Sequence, residues 1–488
     1  IPRYRHYAHS GKMKHRFYIL TLCSLFLVLG ATLRAQDMQR FSERQIIGTA
    51  RYVGMGGAMT AIGGDPSAVL DNPAGLGLYR RGETMITVDE TIDNTTQLQH
   101  NSTQPLNNRY TRSRFALPQV SAIWAWGNPG KQRGMIYNNF MFSIQRLANF
   151  NRDVVVEGAG MGMVETMCDK TNGLAEKYLQ DKPWDDVEIG WLSILGYEGY
   201  LINPIAQDQW QPAVNFNEGT LSISESGTTD QYTLSWASNI SNQWYVGLGL
   251  NIPTMSYTKR VSWQETDRIN SAELKSMYHA TGVGVSGTIG LIYRPMQALR
   301  IGASFQTPTA MSLTVQTEGD VHTTIASEKY DVLTPESGAI SVDMVSPLRT
   351  SVSVAGQLGK YALLAVQYDY AHSADMVDVH TMRVGAEAQA YRGLFLNAGY
   401  VYESSFMKEE PIVLLDYNSI RTDMDYRYTA SSQYASAGIG YRSDVVIAQL
   451  AYQYRWQTLH QYASEMQLLP MDVRTVTHRI VATLAWRF

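Results

Sequence analysis

The sequence predicts an all-β fold: a 14-stranded antiparallel transmembrane β-barrel with an N-terminal plug in its lumen. Three observations lead there. Apolar and polar residues alternate over long stretches, the joins between those stretches alternate between short and long, and after residue 35 no apolar run approaches the roughly 20 residues of a membrane helix.

At the N-terminus, Lys12, Lys14 and Arg16 precede an apolar run from Phe17 to Leu29 and the small-residue stretch Ala31-Thr32-Leu33-Arg34-Ala35. A secretory signal peptide has that order, so residues 1–35 are expected to be an upstream extension and a signal peptide cut after Ala35. Six of the 40 Lys and Arg lie in this stretch, which leaves 34 against 44 Asp and Glu, an acidic balance that argues against nucleic acid as a partner. Cys168 is then the one remaining cysteine, so no internal disulfide is expected. No Pro/Ser linker or charge block divides the rest, which reads as one large unit.

Strand signals begin near Glu83. From Gly282 to Tyr293, Val283, Val285, Ile289, Leu291 and Tyr293 share one face, with Gly284, Ser286, Thr288 and Gly290 on the other. Leu299 to Gln306 and Val446 to Gln457 repeat the pattern. Strands are expected near 84–100, 108–126, 134–152, 217–239, 243–266, 270–294, 297–318, 334–358, 360–373, 377–391, 393–410, 426–442, 444–464 and 470–488. Alternation alone also fits a soluble sandwich. The joins decide between them: 127–133, 240–242, 295–296, 359–360, 392–393 and 443–444 are short, and the intervening ones mostly longer, up to 153–216. Short turns on one rim and long loops on the other belong to a membrane barrel.

Two further features agree. Tyrosines are expected at strand ends, as an interfacial girdle, at Tyr245, Tyr257, Tyr293, Tyr361, Tyr370, Tyr391, Tyr441 and Tyr452. The last strand carries Ile480, Ala482, Leu484, Trp486 and Phe488 on one face, an ending like that of outer-membrane barrels. Residues 36–82 precede the strands, and seven glycines between Gly54 and Gly77 let this stretch turn sharply and pack against a wall. A plug is therefore expected at 36–82, and a barrel at 83–488 with a large extracellular loop at 153–216. Asn72 before Pro73 marks a turn.

The stretch from Ala50 to Leu76, with Asn72-Pro73-Ala74, resembles the N-terminal hatch of the FadL/TodX family of outer-membrane transporters. Gly290 to Ser304, with Thr307-Pro308, resembles a second stretch of that family, and the insert with Trp184-Asp185-Asp186 and residues 197–204 resembles its Bacteroidetes-type branch. The resemblance implies passive uptake of hydrophobic compounds, long-chain fatty acids or similar lipids and aromatics, across the outer membrane of a Gram-negative bacterium. It implies a pocket above the hatch, a sideways exit through the barrel wall, and no cofactor. Hydrophobic small molecules and outer-membrane lipid are the expected partners, and a monomer is expected. The alternative on the same fold is an interaction protein, a type IX secretion partner that binds cargo through its outer loops.

Asn72, Pro73 and Ala74 are thus the candidates for ligand gating or a pocket floor, against the alternative of a plain turn. Met161, Met163, Trp191, Leu192, Ile194, Leu195 and Tyr197 form an apolar set on the large loop, read either as a ligand groove or as a small core over the barrel mouth. Asn138 and Asn139 interrupt the alternation of the third strand and are the candidate wall opening, with an ordinary bulge as the alternative. No catalytic or metal-binding set stands out: Gly54-Met55-Gly56 lacks the third glycine of a dinucleotide loop, His372-Ser373 reads as a solvated pair, and the histidines are scattered. The chain is not expected to be an enzyme.

Overall fold

The computed structural model describes residues 40–98, 105–131, 133–158, 161–186, 188–336, 338–359, 361–374, 377–405, 420–423, 426–464 and 470–488; the expected signal peptide lies outside them. The described strands are β1 Glu83–Leu98, β2 Pro105–Gly127, β3 Met135–Asn149, β4 Arg152–Gly158, β5 Ile202–Ala206, β6 Gln209–Pro212, β7 Glu218–Ile240, β8 Trp244–Thr266, β9 Ser271–Met296 and β10 Leu299–Gln306. They continue with β11 Ala310–Ile325, β12 Glu328–Leu333, β13 Ile340–Val345, β14 Leu348–Leu358, β15 Ala362–His372, β16 Val379–Tyr391, β17 Leu394–Glu403, β18 Tyr426–Arg442, β19 Val446–Tyr462 and β20 Met471–Arg487.

All but β5 and β6 belong to one antiparallel sheet, which closes where β1 meets β20 from Glu83↔Arg487 to Leu98↔Asp472. Consecutive β3 and β4 share one position in the ring through β7, β10 and β11 share another against β9, and β12 to β14 share the next against β10 and β11. The ring therefore has the 14 positions that the sequence predicts. Closure pairs the first and last wall strands with each other.

Alternate residues of each strand turn outward, and a band of them is apolar. Leu248, Leu250 and Ile252 on β8, Val283, Val285 and Ile289 on β9, Leu364 and Val366 on β15, and Ile480, Leu484 and Trp486 on β20 are all exposed. On β8 this band runs from Trp244 to Ile252, about 20 Å tall at ~3.3 Å per residue and a tilt near 40°. Tyr361, Tyr391, Tyr441 and Tyr452 lie exposed around it, as expected of a girdle. Tyr245 and Tyr257 do not: both are buried inside, Tyr245 against Ala74 and Tyr257 against Phe41 and Phe150. Here the inner face is apolar because polypeptide, not water, fills the ring.

That filling is the leading segment. Helix α1 (Ala50–Gly54) is capped by Thr49, and α2 (Pro66–Asp71) by Asp65, whose side chain accepts from the Ser67 amide. Asn72 ends α2, and Pro73 opens a 3₁₀ turn over Pro73–Leu78. The segment hydrogen bonds to inward side chains around the ring: Ala50 to Thr483, Arg51 to Glu387, Thr60 to Gln367, Ser67 to Gln119, and Ile47 to Gln145.

Two cross-strand glycine pairs let its backbone reach the wall. Gly247 and Gly290 oppose each other on β8 and β9, and a Cβ on either would lie 2.3 Å from Pro73 C or 1.9 Å from Asn72 Oδ1. Gly385 and Gly399 do the same on β16 and β17 for Met55 and Gly56, at 2.4 and 2.2 Å.

At the other end, residues 161–186 and 188–216 fold over the barrel mouth as helices α3 (Met163–Thr171) and α4 (Trp191–Glu198) and the β5–β6 hairpin. The sequence reading began this loop at 153, but β4 continues the third wall position to Gly158. Met161, Met163, Trp191, Ile194 and Leu195 join Leu221, Trp263, Leu274, Val321 and Val473 from the strand tips in one buried core.

Candidate functional site

Asn72 is fully buried and fully engaged. Its side-chain oxygen accepts from the Ala74 amide at 3.0 Å, and its amide donates to Thr60 O at 2.9 Å and to Leu291 O at 3.2 Å. Pro73 and Ala74 sit in the seat left by Gly247 and Gly290. The motif thus ties the leading segment to β8 and β9. Asn72, Pro73 and Ala74 line none of the cavities described below.

The apolar set of the large loop lies in the core over the barrel mouth. Met161, Met163, Trp191, Leu192, Ile194 and Leu195 are buried, and Tyr197 packs edge-on against Trp210 with its hydroxyl donating to Glu176. Trp191 donates its indole N–H to Trp184 O at 2.9 Å. The dome is held down by Glu265, at the tip of β8 beyond the apolar band, whose carboxylate accepts from the Met163 amide at 3.0 Å. Burial pushes that carboxyl up to about 7, and pushes the buried Cys168 thiol of α3 up to about 12.

Asn138 and Asn139 are paired on both edges, with Trp126 and Ala125 of β2 and with Ser238 and Ala237 of β7. The irregularity that singled them out is a bulge at Ile136, where the register slips between Met135 and Tyr137. Asn139 faces inward and donates to Leu76 O and Tyr79 O, a second tie for the leading segment.

Backbone pairing between β2 and β3 stops beyond Gln119↔Gln145. Pro118, with no N–H to give, stands at that point. Above it β2 keeps β1 up to Leu98↔Pro105, while β3 and β4 keep β7 up to Gly158↔Gly219. The facing edges, 105–118 and 146–158, have no ladder between them among the described residues. Ala148 and Phe150 turn inward to pack with Phe41 and Tyr257.

Side chains span this slit instead. Arg112 pairs with Asp153 at 2.9 Å, and Arg114 donates to Asn149 Oδ1 at 2.8 Å. Gln97 gives and takes one bond each with the Glu157 backbone. From inside, the Gln45 amide donates to Leu147 O at 2.9 Å and its side chain to Asn149 O at 3.0 Å. A groove of about 580 Å³ runs from the slit, at Tyr110 and Val155, across β7, β8 and β9, at Ile223, Val261 and Met277, to β11 at Asp320.

On the lumen side, a cavity of about 70 Å³ lies between the leading segment and β1, β18, β19 and β20. Arg40, Arg152, Arg455 and Arg479 line it, against Glu43 and Asp93. Asp93 and Thr95 line both the cavity and the groove. This cavity is small and lined mainly by polar side chains, and the larger, more apolar space is the groove. Sequence reasoning missed these arginines because they come from distant stretches, although Arg455 and Arg479 stand on the inward phase of their strands, where a lone charge is a signal.

No protein-family model matches the chain, and no curated protein sequence matches it either. Among solved structures, the chain is similar to a Pseudomonas aeruginosa FadL homologue, with 12% identity over 91% of this chain and 99% of that one and a TM-score of 0.53. It is also aligned with the Pseudomonas putida toluene transporter TodX at 12% identity, covering 91% and 99%, with a TM-score of 0.49. The Ralstonia pickettii toluene transporter TbuX gives 13%, 91%, 99% and 0.44. Of these, the likeness to the Pseudomonas aeruginosa protein shows that the 14-stranded barrel found here is the fold of a FadL homologue.

Proposed function

We propose that the chain is a passive outer-membrane transporter of hydrophobic compounds in a Gram-negative bacterium, of the Bacteroidetes-type branch. Residues 36–82 act in it as a hatch, and the solute leaves or enters sideways through the wall. Fatty acids, similar lipids and aromatics are the substrate classes. The single observation that carries this reading is the slit between β2 and β3–β4, with a large groove that shares Asp93 and Thr95 with the lumen. A solute that gains roughly 0.8 kcal/mol for each CH₂ kept out of water has no use for a wet pore, and a wall exit hands it directly to the membrane. The hatch below and the dome above leave that slit as the natural path.

The test uses Arg112→Cys with Asp153→Cys, whose native side chains meet across the slit, in cells taking up a radiolabelled hydrophobic compound. A short reversible thiol crosslinker should stop uptake, and reduction should restore it. Unchanged uptake with the crosslink verified would sink the lateral route. No uptake even before crosslinking would sink transport itself, and would favour the second reading, a cargo-binding interaction protein, for which the exposed Tyr178, Tyr200 and Ile205 of the dome speak.

A further inference from the structure

The lumen cavity has more donors than its own acceptors use. Glu43 is shared by two guanidinium groups, Arg40 and Arg455, the latter at 3.3 Å. Of the other lining arginines, Arg479 has Asp89 at 3.3 Å, and Arg152 has Glu225 at 2.7 Å, which Arg40 also reaches at 3.5 Å. Asp93 is held by Arg114 and Thr477. Arg40, Arg152 and Arg455 therefore divide two negative charges, and Arg40 and Arg455 meet on Glu43. On these same two residues Nε is buried without a hydrogen-bond partner, and so is Thr475 Oγ1 beside them. Buried donors left unmade are costly, so the site is built for an acceptor that carries charge.

The donors come from three sides: Arg40 from the leading segment, Arg455 from β19, and Thr475 from β20. A planar carboxylate offers two oxygens in one plane, whereas a phosphate offers three terminal oxygens in three directions. The cavity's 70 Å³ takes a head group and little else. Asp93 and Thr95 line both it and the 580 Å³ groove, where Tyr110, Val155, Ile223 and Met277 provide apolar surface.

We propose that Arg40, Arg455 and Thr475 form an oxyanion site for the phosphate head of a single-chain lipid, whose tail lies in the adjoining groove of the wall. The proposal rests on the transport reading and names its substrate class. It distinguishes this barrel from a carrier of neutral hydrocarbons, for which a shared Glu43 and orphaned guanidinium N–H groups would be a burden.

The experiment measures binding to the purified full chain by native mass spectrometry from dodecyl maltoside, with decyl phosphate, decanoate, decanol and inorganic phosphate as probes. Decyl phosphate should bind at least tenfold more tightly than decanol and more tightly than decanoate, with inorganic phosphate weakest. Arg455→Gln should remove most of that advantage. Thr475→Val, which is isosteric and breaks no bond within the protein, should weaken decyl phosphate several-fold and leave decanol unchanged. Equal binding of decanol, or no effect of Thr475→Val, overturns the oxyanion site. Equal binding of decanoate overturns the choice of phosphate, and equal binding of inorganic phosphate overturns the place given to the tail. If none of the three ten-carbon probes binds, the transport reading falls with it.

Discussion

Gly290→Ala should free the Asn72-Pro73-Ala74 turn from the barrel wall. The added Cβ would stand 1.9 Å from Asn72 Oδ1, which three hydrogen bonds of that side chain hold in place, 2.9 Å from Pro73 Cδ and 3.0 Å from the Ala74 nitrogen. Overpacking of this kind costs about 1–3 kcal/mol, and the Asn72 bond to Leu291 O, at 3.2 Å, adds about 1 kcal/mol when it breaks. Local opening of residues 72–79 should therefore become easier by about 2–4 kcal/mol, which is roughly thirty- to several-hundred-fold in amide hydrogen exchange. Mass-spectrometric exchange on the purified barrel reads this directly, with Gly356→Ala as control, since nothing lies within 4 Å of its Cβ. Unchanged exchange over residues 72–79 in Gly290→Ala would refute the idea that paired glycines seat the leading segment.

The dome gives two more expectations. Glu265 has its folded pKa raised to about 7 by burial, from an ordinary value near 4.5. The folded dome therefore holds this proton more tightly than the unfolded one, so its stability is full below about pH 4.5 and falls as pH rises through about 7, by up to about 3 kcal/mol. Glu265→Gln should flatten that dependence in proteolysis of the dome followed from pH 5 to 8; an unchanged slope would discount Glu265. Cys168, buried in α3 with its thiol pushed up to about 12, should resist a maleimide at pH 7 until the dome is unfolded. Rapid labelling of the native protein would contradict the packing described.

The ring was legible because its signals are local. Alternation sets each strand's faces, and turns such as Pro295-Met296 and Arg392-Gly393 set their order, so Glu83 was found as the first strand residue without knowledge of its partners. Phase was less legible where the inner face is also apolar. Tyr245, Tyr257 and Trp263 face inward because the leading segment and the dome replace water there, and a sequence read against a water-filled lumen assigns such residues outward. The slit was invisible for another reason. Loss of pairing between β2 and β3 is a property of two strands parting, and the one local trace, Pro118, is a residue that strand edges often carry. Tyr137-Asn138-Asn139 drew attention by breaking the alternation, but a bulge at Ile136 breaks it without unpairing anything. Met161 and Trp191 carried the right composition for a buried surface, and only the strand tips of β7, β8 and β9 reveal what covers them.

The meeting of β1 with β20 also dictates an order of events. Arg487 donates to Glu83 at 2.8 Å across a separation of 404 residues, so the seam is among the slowest contacts for a chain to find. Ala50, Arg51 and Gly54 emerge early in synthesis, yet the groups that receive them, Thr483, Glu387 and Ser436, come hundreds of residues later. A ring sealed before that early segment was inside would shut it out for good, so enclosure and docking must finish together.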